Sequence, residues 1–163
     1  MTASKHPIPK GFHSVTPTLT VLNAAEAIEF YKKALGAEEL VRMQGPDGKI
    51  SHAEIKIGDS IVFIGEEMPN MGNKSPQTVG AATGGLHIYV EDVDKAFARA
   101  VAAGGKVTMP VTNMFWGDRY GTFHDPFGHS WGIGTHIEDV SEEELERRMK
   151  AFYAEMAQQK KTA

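Results

Sequence analysis

Histidine is the residue type in this chain best able to move a proton or hold a metal, and there are seven, with no cysteine. A thiolate metal site, a cysteine nucleophile and a disulfide framework are therefore excluded. His6, His13 and His136 lie near the two ends and read as surface residues. His129 follows a turn and reads as a structural hydrogen-bonding group. His87 and His124 stand in runs of strand character, where residues two apart share a face. His87 goes with Gly85 and Tyr89, and His124 with Tyr120 and Thr122. Two histidines with no placed carboxylate make a weak metal set. His87 is thus either the polar group of a pocket or a satisfied structural histidine.

The run Phe115-Trp116-Gly117-Asp118-Arg119-Tyr120 combines aromatic faces for stacking with a guanidinium for an anionic or polar group, beside a turn. It suits the rim of a pocket. The plainer alternative is a hairpin turn at Gly117-Asp118, with Arg119 paired to Asp118 or Asp125 and the aromatics in the core. Other catalytic signatures are missing: no Gly-x-Ser-x-Gly, no Gly-x-x-x-x-Gly-Lys and no His-Glu-x-x-His. Gly84-Gly85 precedes a strand instead of opening a helix, unlike a dinucleotide fingerprint. Glu54, Glu66 and Glu67 have no spacing that demands acid–base work.

These residues are positioned by an internal duplication. Leu19-Thr20-Val21-Leu22-Asn23 and the segment to Gly36 match Ile88-Tyr89-Val90-Glu91-Asp92 and the segment to Gly105, at an offset of 69 (88 − 19). Each copy has an alternating strand, an Asn or Asp suited to cap a helix, an apolar stripe of helical period and a closing glycine. The stripes are Ala27, Ile28, Tyr31, Ala34, Leu35 and Val93, Ala96, Phe97, Ala100, Val101. Three strand-like runs follow each helix: Glu38–Gln44, Ser51–Ile57 and Ser60–Gly65, then Lys106–Phe115, Arg119–His124 and His129–Thr135. Gly/Asp-rich turns break them. The fold class is α+β: two tandem βαβββ modules forming curved mixed sheets around a cavity, plus a C-terminal helix.

Residues 1–13 read as an N-terminal extension and 14–136 as a single domain, with module one at 14–67, a Gly/Pro/Asn/Ser-rich linker at 68–84 and module two at 85–136. Residues 137–163 supply a helix and tail. That helix opens on Ser141 with Glu144 as a capping box, and its stripe Leu145, Met149, Phe152, Tyr153, Met156 must be covered by the domain or by a second subunit. At 163 residues, one self-sufficient core is expected. A net charge of −4 and a pI near 6.0 speak against a nucleic-acid partner. The basic pairs Arg147-Arg148 and Lys160-Lys161 read as helix-end cations and solvated tail. With no signal-like start and no apolar run of about 20 residues, the expectation is a cytoplasmic protein with no membrane partner.

The duplicated unit, Val90-Glu91-Asp92-Val93-Asp94 entering the second helix and Asp125-Pro126-Phe127-Gly128-His129 before the last strand resemble the vicinal oxygen chelate superfamily. That superfamily includes glyoxalase I, extradiol dioxygenases, fosfomycin-modifying enzymes and bleomycin-binding resistance proteins. Leu86 to Val93 and Trp116 to Gly121 look most like its PhnB-like branch. The resemblance covers about Ser14 to His136. It implies metal-ligand positions on the concave face that fall here on Thr16, Val62, Gly85 and Gly132. Val62 and the two glycines offer no donor atom and a lone threonine hydroxyl binds divalent metals weakly, so no metal and no cofactor is expected.

The function expected is metal-independent binding of a small aromatic or polar organic ligand, of the bleomycin-resistance type. The alternative is a glyoxalase-like lyase or isomerase, or a dioxygenase, with a relocated metal or His87 as base. Thr18, His87, Tyr89, Trp116, Arg119, Tyr120 and His124 are the expected ligand-binding residues. A homodimer is expected because each curved sheet has outer edges to be paired or covered.

Overall fold

The computed structural model describes residues 5–162, except the side chains of residues 69 and 159–162. The first four residues of the N-terminal extension and the side chains of Lys160-Lys161 lie outside the described residues. Module one runs β1 (Thr18–Val21), α1 (Ala24–Leu35), β2 (Glu38–Gln44), β3 (Ile50–Ile57) and β4 (Ser60–Glu66). A 3-10 turn, Pro69–Met71, and a short helix α2 (Pro76–Val79) lead to module two. It runs β5 (Gly85–Tyr89), α3 (Val93–Ala102), β6 (Lys106–Asn113), β7 (Asp118–His124) and β8 (Ser130–His136), and α4 (Glu142–Thr162) closes the chain.

Each helix starts where a side chain satisfies an orphan backbone N–H: Asn23 Oδ1 accepts from Glu26 (3.2 Å), and Asp92 Oδ1 accepts from Lys95 (3.0 Å). The two modules build sheets of identical order, β1-β4-β3-β2 and β5-β8-β7-β6. In each, the strand before the helix pairs in parallel with the last strand, and the other pairings are antiparallel.

One core joins the modules. Leu19, Val21, Ile55, Val62 and Ile64 from the first sheet and Phe123, Trp131 and Ile133 from the second are buried under α1 and α3. Tyr31 of α1 carries the join, its ring 5.4 Å from that of Trp131 and its hydroxyl donating to Asp125 Oδ2 at 2.6 Å. That carboxylate also accepts from Trp131 Nε1 and from the N–H groups of Phe127 and His129. Burial pushes the Asp125 carboxyl up, but His129, Tyr31 and Trp131 around it outweigh burial and hold it below the ordinary value. The Asp-Pro-Phe-Gly-His turn is thus an inter-module clasp.

Two elements differ from their sequence reading. β6 stops at Asn113, short of Phe115, because Met114 N–H donates to Asp118 O (2.7 Å) and Gly117 N–H to Met114 O (3.1 Å), closing a turn. Phe115 and Trp116 therefore stand on a turn at the rim. The linker is less irregular than its composition suggests. Ser75, fully buried, caps α2 at Thr78, Glu67 accepts the Ser75 N–H, and Gln77 Nε2 donates to Pro126 O. These bonds pin α2 against the clasp.

Candidate functional site

Register decides which side chains face away from the helices. Module two pairs His87 with Gly132, Tyr89 with Gly134, Tyr120 with Gly134 and Thr122 with Gly132. Trp131, Ile133 and Phe123 alternate with these and are buried under α3, so Gly85, His87, Tyr89, Gly132, Gly134, Tyr120, Thr122 and His124 share the open face. On that face the His87 and Tyr120 rings stack in parallel, 5° apart in plane and 5.1 Å between centroids. Tyr89 lies 4.6 Å from His87, and Trp116 lies 5.9 Å from Tyr120.

The sequence makes this surface possible by placing glycine beneath each ring. A Cβ on Gly132 would sit 2.5 Å from the Tyr120 hydroxyl oxygen, and one on Gly134 would sit 3.2 Å from His87 Nε2. Both rings come close over the strand because it has no side chains there. Beside them a cleft of about 1770 Å³ runs between the outer edges of β1 and β5. Thr18, Thr20, His87 and Tyr89 line it, with Pro76 and Val79 of α2 at its wall.

Under the rim lies a carboxylate. Asp118 is 3% exposed, and its Oδ2 accepts from the Tyr89 hydroxyl and from Trp116 Nε1, both at 2.9 Å. Oδ1 meets His136 Nδ1 at 2.8 Å, and His136 Nε2 meets Asp139 Oδ1 at 3.0 Å. Burial pushes the Asp118 carboxyl up, but the bonds from His136, Tyr89 and Trp116 prevail and keep it below the ordinary range. The bond to Asp118 raises the Tyr89 hydroxyl, Asp139 and Asp118 raise His136, and burial raises Tyr120.

A family model described as the Glyoxalase/Bleomycin resistance protein/Dioxygenase superfamily matches residues 11–133. The chain belongs to that superfamily. Its relatives include an uncharacterised protein of Mycobacterium tuberculosis, 41% identical over 141 residues that cover 85% of this chain and 83% of the relative. Among solved structures, TioX from Micromonospora sp. ML1 is 28% identical with a TM-score of 0.58, covering 76% of this chain and 100% of that one. A PhnB protein from Bacillus cereus, 19% identical with a TM-score of 0.60, shares the fold over 76% of this chain and 99% of its own.

Against the superfamily's metal-ligand pattern, the register moves one position. Thr18 pairs with Phe63 as His87 pairs with Gly132, so the counterpart of Gly132 in module one is Phe63. Val62, which the spacing alone selects, points into the core and is 3% exposed. The sequence offset of 70 between the last strands hides this because the β3–β4 and β7–β8 turns differ in length. The corrected set of Thr16, Phe63, Gly85 and Gly132 has one donor atom outside the backbone, and the Tyr120 ring fills the space over Gly132. These residues do not fit a divalent metal. Among the described residues, no group of three or more His, Asp or Glu converges to hold one.

Of the seven ligand-binding residues expected from sequence, the structure brings together His87, Tyr89, Trp116 and Tyr120, with Thr18 across the cleft. His124 lies at the exposed end of the same face, its strand neighbours being Lys106 and Ser130. Arg119 points to the other face of β7 and grips Asp94 of α3 through two bonds of 2.8 and 2.7 Å, with Asn113 as a third partner. Neither Asp118 nor Asp125 is its partner.

Sequence reasoning missed the parts played by Asp118 and His52; His136 is a surface residue as expected, 54% exposed, and it also bonds Asp118. Asp118 looked like a turn residue, because the strand pairing that unites it with His136 is not local. His52 stands on the open face of module one, 3.3 Å from Glu54 and 4.7 Å from the Phe63 ring. The spacing of His52 and Glu54, two apart in a strand, was a legible signal.

Proposed function

We propose that this chain is a metal-independent small-molecule binding protein of the cytoplasm that takes a flat aromatic organic compound on the open face of module two. The observation that carries the reading is the stacked His87–Tyr120 pair on a floor of Gly132 and Gly134, flanked by Tyr89 and Trp116. With no side chains beneath them, the two parallel stacked rings, edged by Tyr89 and Trp116, form an aromatic surface against which a flat apolar solute buries area. The adjoining cleft, with Thr18 on its far side, gives room for substituents. His124 contributes at the outer margin of that face, and Arg119, held to Asp94 on the other face, does not take part.

The functional unit proposed is a homodimer. Within one chain, Phe152 of α4 packs on Phe115, but Met149, Tyr153 and Met156 of the same helix stay exposed. The outer edges of β1 and β5 also pair with nothing in their own sheets. Light scattering across a dilution series should give twice the single-chain mass of 17.8 kDa at micromolar concentration; the single-chain value would refute the dimer.

Binding is tested by fluorescence and thermal-shift titration with fused-ring aromatic probes. Saturable binding that stabilises the protein, and is weakened at least fivefold in a Tyr120→Ala variant, is expected. A probe series that never saturates would defeat the reading, and chemical turnover of a bound probe would favour the enzymatic alternative with His87 as base.

A further inference from the structure

The Asp118 network fixes the direction of hydrogen bonding at the mouth of the aromatic surface. A carboxylate that has lost its proton only accepts, so both of its bonds at Oδ2 must be donated to it. Tyr89 spends its one hydroxyl hydrogen there, and Trp116 spends its one indole hydrogen on the same oxygen. The Tyr89 and Trp116 donors at Oδ2, with His136 Nδ1 at 2.8 Å from Oδ1, favour the anion and keep both hydrogens committed to it. The Tyr89 oxygen therefore meets anything lying on the surface as an acceptor with free lone pairs. Neither Tyr89 nor Trp116 has a hydrogen to offer a ligand. The His87 ring lies 4.6 Å from that of Tyr89, centroid to centroid.

We infer that Asp118 sets the specificity of this site, selecting aromatic compounds that carry an O–H or N–H donor, such as phenols and anilines, over their ether or alkylated counterparts. The inference rests on the aromatic surface of module two being the binding site. Asp118 is a positioning residue, since it acts on the ligand through Tyr89. His136 supports it from the far side at 2.8 Å, itself steadied by Asp139.

The test compares 2-naphthol with 2-methoxynaphthalene, which share the fused rings and differ in the donor, by calorimetric titration of the full chain. The wild type should bind 2-naphthol about three- to tenfold more tightly, the range one neutral hydrogen bond supplies. Tyr89→Phe should bring the two affinities within twofold of each other by weakening 2-naphthol alone. Asp118→Ala removes the acceptor, which frees the Tyr89 hydroxyl to donate as well as accept, so the preference for 2-naphthol should shrink to within twofold. Circular dichroism and thermal melting confirm that each variant is folded. Equal affinities in the wild type, or a preference that survives in Tyr89→Phe, would overturn the inference while leaving the binding surface intact. If neither probe binds the wild type, the surface itself is not the site and both readings fall.

Discussion

Replacing Gly132 with alanine is the sharpest perturbation of the proposed surface, because a single methyl group enters the space the Tyr120 ring occupies. The new Cβ would lie 2.5 Å from the Tyr120 oxygen, 2.7 Å from Cε2 and 3.0 Å from Cζ, roughly 1 Å inside ordinary van der Waals contact. The Gly132 backbone is held between β5 and β7 and cannot retreat, so the ring must swing away from the sheet. Tyr120 is half-buried and can move outward, which puts the stability cost at the low end of overpacking, about 1 kcal/mol, or a fall of about 2–4 °C in Tm. The stack with His87 is lost, and with it about 0.5–1.5 kcal/mol per ring contact available to an aromatic ligand. Probe affinity should drop about tenfold by fluorescence titration, while circular dichroism stays native. Gly134→Ala, whose Cβ meets His87 Nε2 at 3.2 Å, should cost less. An affinity unchanged within twofold in a folded Gly132→Ala protein would refute the claim that these rings form the binding surface.

Two further outcomes follow from the buried carboxylates. Asp125→Ala leaves the Tyr31 hydroxyl, Trp131 Nε1 and the N–H groups of Phe127 and His129 without their acceptor, and should cost about 3–5 kcal/mol in urea unfolding. Asp118 and Asp125 are both held below their ordinary values when folded. Their stabilisation is thus complete above the unfolded carboxyl value of about 3.9 and is lost as the pH falls through the lower folded values. The carboxylate contribution should stay level down to about pH 5 and be lost below pH 4, with a shallower loss in Asp125→Ala. His136 has the opposite sign. Asp139 and Asp118 raise it, so its contribution is present below the ordinary value of 6.5 and fades as the pH climbs through the folded one. Proton NMR should show its ring titrating above 6.5 in the wild type and closer to 6.5 in Asp139→Asn.

Much of the fold was legible because its signals are local. Asn23, Asp92 and Ser141 each cap a helix at the residue where the spacing placed them, and the duplicated pattern around Leu19 and Ile88 fixed two like sheets. The limit came at register. Alternation correctly put His87 and Tyr89 on one face, yet one residue of turn length was enough to exchange Val62 for Phe63 between core and open face. Arg119 shows the same limit from another direction. Its charge suggested ligand binding, but strand alternation turned it toward Asp94, a residue 25 positions away that no local pattern connects to it. The Asp118 hub escaped notice for that reason too, since Tyr89 and His136 reach it only through the pairing of β5, β8 and β7. The short helix α2 was hidden by composition, its four residues being too few to show a period.

The central claim, that the aromatic surface binds an organic ligand without a metal, is tested most directly by titrating chelator-stripped protein with 2-naphthol, with and without added Mn²⁺ or Zn²⁺. The account predicts saturable binding of one probe per chain in the stripped protein, unchanged by either metal. Binding that is absent from the stripped protein and returns only when a metal is added would contradict it.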